Sequence, residues 1–142
     1  MKYFITTAML VLFSIGAYSQ SMAKPNVIGL IEVDAVKKMS TYKDYKFISR
    51  QESTVGNSLM YSISLTGNLT VLYAIVFDKN NICYSISEIF PLQFFDKLVK
   101  NIDSNPLYKR SNGGLSWEDE INGLIIRVST TERYSEISYT KK

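Results

Sequence analysis

The chain has 142 residues, of which 46% are apolar and 20% charged, so its composition is that of one globular domain and excludes an intrinsically disordered chain. It has no histidine, which excludes Ser-His-Asp and Cys-His catalysis and nearly all zinc sites. The formal net charge of +3 is weak and the basic residues are scattered, which argues against a nucleic-acid partner.

The first residues, "MKYFITTAMLVLFSIGAYSQ", are typical of a secretory signal peptide. Lys2 gives the positive start, an apolar stretch follows, and Ala17 and Ser19 stand at the two small positions of a cleavage site. A membrane anchor is the alternative, but the apolar stretch is shorter than the ~20 residues that a spanning helix needs. We therefore expect removal of residues 1–19, with Ala23 as a second cleavage position. The mature protein is then periplasmic or extracellular and has no membrane span.

Residues 20–142 are predicted to form a single domain, because no low-complexity linker divides them. Residues 27–43 carry a weak helical pattern, although a strand over 26–33 is the alternative. Asp34 is a candidate cap for a helix that begins at the next residue. The apolar residues near one face of this helix are Ile28, Ile31, Ala35 and Met39.

Three β-rich runs follow over residues 59–87, with turn signals in "LTGNL" and "FDKNNI". A two-residue turn at Gly67-Asn68 predicts that Tyr61 lies opposite Ala74 and Ile63 opposite Leu72. The register matters because a slip of one residue moves every side chain of a strand to the other face.

Cys83, the only cysteine, is expected to be an inert strand residue. Strict alternation places it with Ser85 and Ser87, on the face opposite Ile82 and Tyr84. A catalytic cysteine needs a base, a cation or a helix N-terminus that lowers the pKa of its thiol, and this position supplies none.

A helix is predicted after Pro91, which suits a first helical turn. We expect it to end near Asn105-Pro106, because the residue before a proline is pushed out of the α region. Its apolar stripe is Leu92, Phe95, Val99 and Ile102.

The last part of the chain is predicted to form two hairpins, with turns at Asn122-Gly123 and Thr131-Glu132. These turns place Arg127 between Glu118 and Glu136 on one face, a favourable cross-strand arrangement. The opposite face then collects Trp117, Ile121, Leu124, Ile126, Val128, Ile137 and Tyr139.

The acidic cluster at 118–120 is interpreted as a solvated strand face, since its spacing is not that of a calcium loop. Asp119 is a misfit in this arrangement because it falls on the apolar face. A β-bulge beside Asp119 would remove the conflict.

Residues 27–90 and 91–142 resemble each other in element order, which suggests a tandem αβββ repeat. Two such units would join into one curved antiparallel sheet with one or two helices on one face. The predicted fold class is therefore α+β.

The middle of the chain, "YAIVFDKNNICYSISEIFPLQFFDKLVKNID", followed by Trp117 and "GLIIRV", resembles small exported proteins of Bacteroidota. The shared features are a Phe-Asp-Lys-Asn turn, an Ile-Cys strand, a proline and an amphipathic helix. The resemblance covers about half of the mature chain and implies a shared fold, but it carries no activity.

A candidate partner surface follows from the predicted register in the first half of the sheet. Both faces of this half would be apolar, and the helices would cover only one of them. An exposed apolar patch usually marks a binding site. The alternative is that residues 24–43 fold over this face and bury it. The candidate residues are Leu59, Tyr61, Ile63, Leu65 and Leu72.

The sequence offers no candidate catalytic residue, cofactor or metal ligand. We therefore expect a non-catalytic binding or protein-interaction module whose partner is a protein or a small ligand, and a homodimer is left open. An inhibitor or immunity-type protein that blocks an enzyme or toxin is the second interpretation, and a small hydrolase is the third. The second interpretation rests on architecture alone.

Overall fold

A computed structural model of the chain describes residues 25–65, 68–111 and 114–142. The predicted signal peptide and both predicted cleavage positions lie outside the described residues. The described elements, in chain order, are α1 (Glu32–Met39), β1 (Tyr45–Ser53), β2 (Gly56–Leu65), β3 (Leu69–Phe77), β4 (Cys83–Pro91), a 3₁₀ turn (Leu92–Phe94), α2 (Phe95–Asp103), β5 (Tyr108–Arg110), β6 (Ser116–Asp119), β7 (Leu124–Thr130) and β8 (Tyr134–Lys141).

The eight described strands form one antiparallel sheet in the order β1-β2-β3-β4-β8-β7-β6-β5. The α+β class with an antiparallel sheet and two helices is confirmed, although the sheet is larger than predicted. Each helix precedes four strands rather than three. After the first helix, residues 45–65 fold back at Thr54 and Val55 into two strands, and after the second helix β5 and β6 form a similar pair. Whether the two halves are a true repeat stays a prediction.

Both helices pack on the same face of the sheet. Ala35 and Met39 of α1 belong to one core cluster with Leu98 and Ile102 of α2, and the cluster includes one face of the strands. The helix predicted within residues 27–43 is confirmed, but it spans Glu32–Met39, with Asp34 in its first turn rather than at its cap. The strand alternative for this segment reduces to a single bridge between Ile31 and Ile82.

The second helix ends at Asp103, before the proline as predicted. Ile102 of the predicted stripe is buried as expected, but Phe94 of the 3₁₀ turn and Leu98 are the other buried residues, whereas Phe95 and Val99 are only half-buried. Leu92 is exposed in the 3₁₀ turn that precedes the helix.

The predicted register between β2 and β3 is wrong by one residue. Tyr61 lies opposite Tyr73 and Ile63 opposite Val71, since Leu65 pairs with Leu69 and leaves three residues to connect the strands. The predicted turn included Gly67, which lies outside the described residues. The slip moves the apolar residues of β2 to the helix-covered face of β3.

The predicted position of Cys83 is also wrong. The β3–β4 register shifts beside Phe77, so that Tyr84 is an extra residue and Cys83 lies opposite Phe77. This β-bulge breaks strict alternation and turns Cys83 into the core.

The hairpins of the last part of the chain have longer connections than predicted, because Asp119 pairs with Leu124 and Thr131 bonds to Tyr134. Because both registers slip by two residues, each side chain stays on its predicted face of the sheet. Its cross-strand partner changes, however. Arg127 lies opposite Ser116 and Ser138 rather than between two glutamates. The predicted apolar residues that are buried are Trp117, Ile126, Val128, Ile137 and Tyr139.

The other two residues predicted for that face differ, because Ile121 is exposed in the turn and Leu124 is half-buried. Asp119 is buried on the apolar face without a bulge. Its carboxylate accepts hydrogen bonds from the backbone N–H of Asn122 at 3.0 Å and from Asn122 Nδ2 at 2.7 Å. The turn therefore satisfies the hydrogen-bonding capacity of the Asp119 carboxylate, although this residue lies on the apolar face.

Candidate binding face

The face of the sheet opposite the helices, here the open face, carries none of the residues of the core cluster. The strand registers give three rows across β2, β3, β4 and β8, and residues in one row share this face. The rows are Ser58, Val76, Ser85 and Thr140; Met60, Ala74, Ser87 and Ser138; and Ser62, Leu72, Ile89 and Glu136.

The centre of the open face is uncharged and is formed by small side chains. Ala74, Ser85 and Ser87 are only 8%, 8% and 5% exposed, although no described helix covers them. Half-buried longer side chains, such as Leu72 and Ile89, flank these small residues. Glu136 is the only charged member of the three rows. The result is a shallow trough of hydroxyl and aliphatic groups.

The open face becomes charged towards the other edge of the sheet. The first row continues from Thr140 to Ile125, Glu118 and Lys109. Arg127 continues the second row, opposite Ser138. The open face is therefore uncharged over most of its central rows, with Lys46 beside Ser62 at the β1 edge and alternating charges towards β5.

A pocket of about 220 Å³ lies at the rim of the open face, here the rim pocket. Ser58 and Val76 of the open face line it, together with Tyr84 and with Phe77 at the end of β3. The tip of the β1–β2 hairpin supplies the remaining lining residues, which are Gln51, Glu52, Ser53, Val55, Gly56 and Asn57.

The hairpin tip is held in one position by backbone contacts. Gly56 has φ +146°, and a Cβ atom there would lie 1.9 Å from the carbonyl oxygen of Phe77, so only glycine fits. Ser53 Oγ donates to the carbonyl oxygen of Gly56 at 2.8 Å and accepts from the N–H of Val55 at 3.3 Å. These contacts fix the hairpin side of the rim pocket.

A polar network joins this hairpin to helix α1. Arg50 Nε donates to Glu32 Oε1 at 2.5 Å, and another nitrogen of Arg50 bonds to Glu52. Asn57 Nδ2 donates to Glu32 Oε2 at 3.1 Å and to Asn81 Oδ1 at 2.9 Å. The hydrogen bond from Arg50 is the main cause of a lowered pKa at Glu32. The network leaves Glu52, the charged residue of the pocket lining, paired with Arg50.

The core contains a thiol and a carboxylate that catalysis could use, those of Cys83 and Glu88, and both residues are buried. Burial raises the pKa of the Cys83 thiol to about 11, so the thiol is protonated at neutral pH. Glu88 is fully buried, lies opposite Tyr73, and its Oε2 accepts a hydrogen bond from the Tyr139 hydroxyl at 3.2 Å. Burial, and then the charge of Glu88, raises the pKa of both tyrosines.

The outward position of the predicted partner surface is wrong. Leu59, Tyr61 and Ile63 are 1%, 5% and 1% exposed in the core, and Leu65 packs against that core. The N-terminal segment covers them, as the alternative expected: Val27 is buried with them and the Tyr73 hydroxyl donates to the carbonyl oxygen of Pro25 at 2.7 Å.

Leu72 is the one predicted surface residue that lies on the open face, where it is half-buried. The sequence held a signal for the rest of this face, because Ser58, Met60 and Ser62 alternate with the buried residues of β2. The bulge that exposes Tyr84 left no comparable signal.

The chain matches no protein-family model, no curated protein and no solved structure. In the part of the chain that the structure describes, no group of acidic or cysteine side chains could hold a metal ion. No helix of residues 25–65, 68–111 and 114–142 has the length and apolar character needed to cross a membrane.

Proposed function

We propose that this protein is an exported, non-catalytic binding module that holds a protein partner on the open face. The observation that supports the proposal is the difference between the faces. Two helices cover one face of the sheet, and the other presents a neutral trough with Ala74 and Ser87 at its centre. Small side chains allow the backbone of a partner to approach closely. Removing the flanking aliphatic groups from water would stabilise the complex.

The size of the open face suits a protein partner. Eight strands at about 4.8 Å spacing and about 20 Å of strand length give a face of the order of 800 Å². A standard protein–protein interface buries about 800 Å² on each partner. A nucleic acid fits poorly, because the basic residues of the open face, Lys46, Lys109 and Arg127, are scattered and alternate with Glu118 and Glu136.

The proposed lack of catalysis is supported by the burial of Cys83 and Glu88, which keeps both groups away from a substrate on the open face. A partner enzyme that loses activity when it is bound would make the protein an inhibitor. That outcome would identify the partner as an enzyme. The proposed binding face would remain the same.

Site-specific photo-cross-linking tests the proposal. A photoreactive amino acid is placed at Ser87, in the centre of the open face, in cells that make the protein. A matched control places it at Val33, which is 73% exposed on α1 at the helix-covered side. We expect a defined protein adduct from position 87 that is missing from position 33 and is lost when Ala74→Arg is added. Identical adducts from both positions, or none from position 87, would contradict the proposal.

Export rests on the first residues, where the Lys2, apolar and Ala17-x-Ser19 order is typical of a signal peptide. Intact-mass measurement of the protein released by its host checks it. We expect a chain that begins at Gln20 or, after the second cleavage position, at Lys24. A mature protein that retains Met1 would contradict export by this route.

A further inference from the structure

We infer that the rim pocket binds an uncharged sugar ring. The inference concerns a second site at the edge of the open face, and it does not depend on a protein partner at the centre. With about 220 Å³, the rim pocket is smaller than the roughly 300–1,000 Å³ of pockets that hold larger ligands. This size suits a single ring better than a nucleotide or a peptide.

Tyr84 supplies the apolar contact that a sugar ring needs. It is the extra residue of the β-bulge between Cys83 and Ser85, and it is 43% exposed although both neighbours are buried. Bulges often re-aim a side chain beside a functional site. One face of a pyranose ring presents C–H groups, which pack against the face of an aromatic ring.

Neutral hydrogen-bonding groups lie close by. Gln51 and Ser58 are directly opposite each other on β1 and β2, and both line the pocket. An amide offers two N–H donors and a carbonyl acceptor, and a hydroxyl both donates and accepts. Sugar hydroxyls need this mixture of donors and acceptors.

The charges of the lining disfavour ionic ligands. The described lining residues include no lysine or arginine, so a phosphate or carboxylate would find no cation in the pocket lining to offset its charge. A cationic ligand would have to displace Arg50, which already pairs with Glu52. An uncharged ligand avoids both costs.

The rigid hairpin tip limits the cost of binding. Gly56 lies directly against the Phe77 carbonyl, and Ser53 links the two sides of the turn. Little chain entropy is therefore lost when a ligand enters the pocket.

NMR titration of the full-length protein, with amide resonances assigned, tests the inference. The probes are methyl β-glucoside, methyl α-mannoside and N-acetylglucosamine, with cyclohexanol and inorganic phosphate as controls. We expect a millimolar dissociation constant for at least one sugar, with shifts confined to residues 51–58, 76, 77 and 84. Phosphate should cause none, and cyclohexanol should bind more weakly, because it has a single hydroxyl group.

Three variants separate ring stacking from general surface contact. Tyr84→Ala should weaken sugar binding by about tenfold or more, while Tyr84→Phe should stay within about twofold. Tyr134→Ala, at a half-exposed tyrosine at the other end of the strands, should leave the affinity unchanged. Gln51→Leu, at an exposed position, is a second variant that should lose sugar affinity. Thermal unfolding checks that each variant is folded.

The inference would be overturned if none of the three sugars shifted residues 51–58 and 84. It would equally be overturned if cyclohexanol bound as well as the sugars, or if Tyr84→Ala and Gln51→Leu both retained full affinity. None of these results affects cross-linking at Ser87, so the two proposals fail separately.

Discussion

The half of the sheet formed by β1–β4 with α1 and the half formed by β5–β8 with α2 share an element order, but they hold their outer strands differently. β1 has nine residues and pairs with β2 from end to end except at its bulge, so a long ladder of hydrogen bonds holds it, and Arg50 adds an ion pair to Glu32 of α1. β5 has three residues, and side chains must add to its short ladder. Arg110 of β5 donates to Asp103 Oδ2 at 3.1 Å, and its guanidinium lies 5.2 Å from the centre of the Trp117 ring.

The two edges also avoid pairing with other chains by different means. An exposed edge strand is a template for another strand unless it is short, bulged or charged. β5 is short, whereas β1 carries a bulge between Phe47 and Ser49 and charged residues at Lys46 and Arg50. Both edges are therefore charged, since β5 also carries Lys109 and Arg110, and the longer β1 adds a bulge.

The helices are anchored at opposite ends. Glu32 begins α1 and binds Arg50, where a carboxylate also complements the helix dipole. Asp103 ends α2, where the dipole disfavours a carboxylate, and it accepts hydrogen bonds from both Trp117 Nε1 and Arg110. The second anchor therefore depends more strongly on its partners.

Removing Trp117 is expected to have the largest effect, because it breaks the anchor of the second half and leaves a large cavity. Trp117 is fully buried and its Nε1 donates to Asp103 at 2.8 Å. Trp117→Ala should lower the free energy of unfolding by about 3–5 kcal/mol. Trp117→Phe keeps most of the packing and should cost about 1–3 kcal/mol. Urea unfolding measures both, and a loss below about 1 kcal/mol for Trp117→Ala would contradict the anchor.

The sequence was sufficient for both helices and for three strands in each half, but not for the fourth strand of each half or for the registers. The helix before Asn105-Pro106 and the apolar face with Trp117 and Ile126 follow from periodicity, which survives a slip of two residues. The β2–β3 register slips by one residue, since the connection after Leu65 has three residues rather than two, and this exchanged the faces. Connection length depends on local backbone conformation, which turn residues indicate only loosely.

The candidate site was harder to predict than the fold. The burial of Ile63 depends on an N-terminal segment that is distant in sequence, and periodicity within a strand cannot show what covers it. The rim pocket depends on the bulge at Tyr84 and on the close approach of Gly56 to β3, which are both tertiary features. Only Leu72 of the predicted surface residues reaches the open face.

Truncating the two faces of the first half should separate core from surface. Ile63→Ser removes a fully buried side chain and should cost about 2–5 kcal/mol. Leu72→Ser, on the open face, should cost about 1 kcal/mol or less, and it should weaken any adduct formed from position 87. Thermal and urea unfolding compare the two variants. Equal losses would mean that a further segment covers the open face.

The β1–β2 hairpin of the first half should be sensitive at one glycine. Gly56→Ala forces a Cβ against the Phe77 carbonyl at an unfavourable φ, and we expect a loss of about 1–3 kcal/mol. Gly114→Ala is the matched control before β6, because a Cβ there meets nothing within 4 Å and its φ is ordinary. Melting temperatures compare the variants. A Gly56→Ala protein as stable as the control would show that the hairpin tip can move away from β3.

The smallest expected effect is the acid dependence of the two halves. The pKa of Glu32 is lowered from its ordinary value of 4.5, chiefly by its hydrogen bond with Arg50, and the pKa of Glu120 is lowered chiefly by Lys109. A carboxyl whose pKa is lower in the folded state stabilises the fold fully above its unfolded pKa, and this contribution is lost as the pH falls through the folded pKa. Salt screens the exposed Lys109–Glu120 pair more strongly than the network around Glu32. Glu32→Gln should therefore reduce the loss of stability between about pH 6 and about pH 3 more than Glu120→Gln does, and the difference should persist at high salt. Urea unfolding at both pH values measures it, and an equal reduction by the two variants would mean that the Glu32 network adds nothing beyond a surface ion pair.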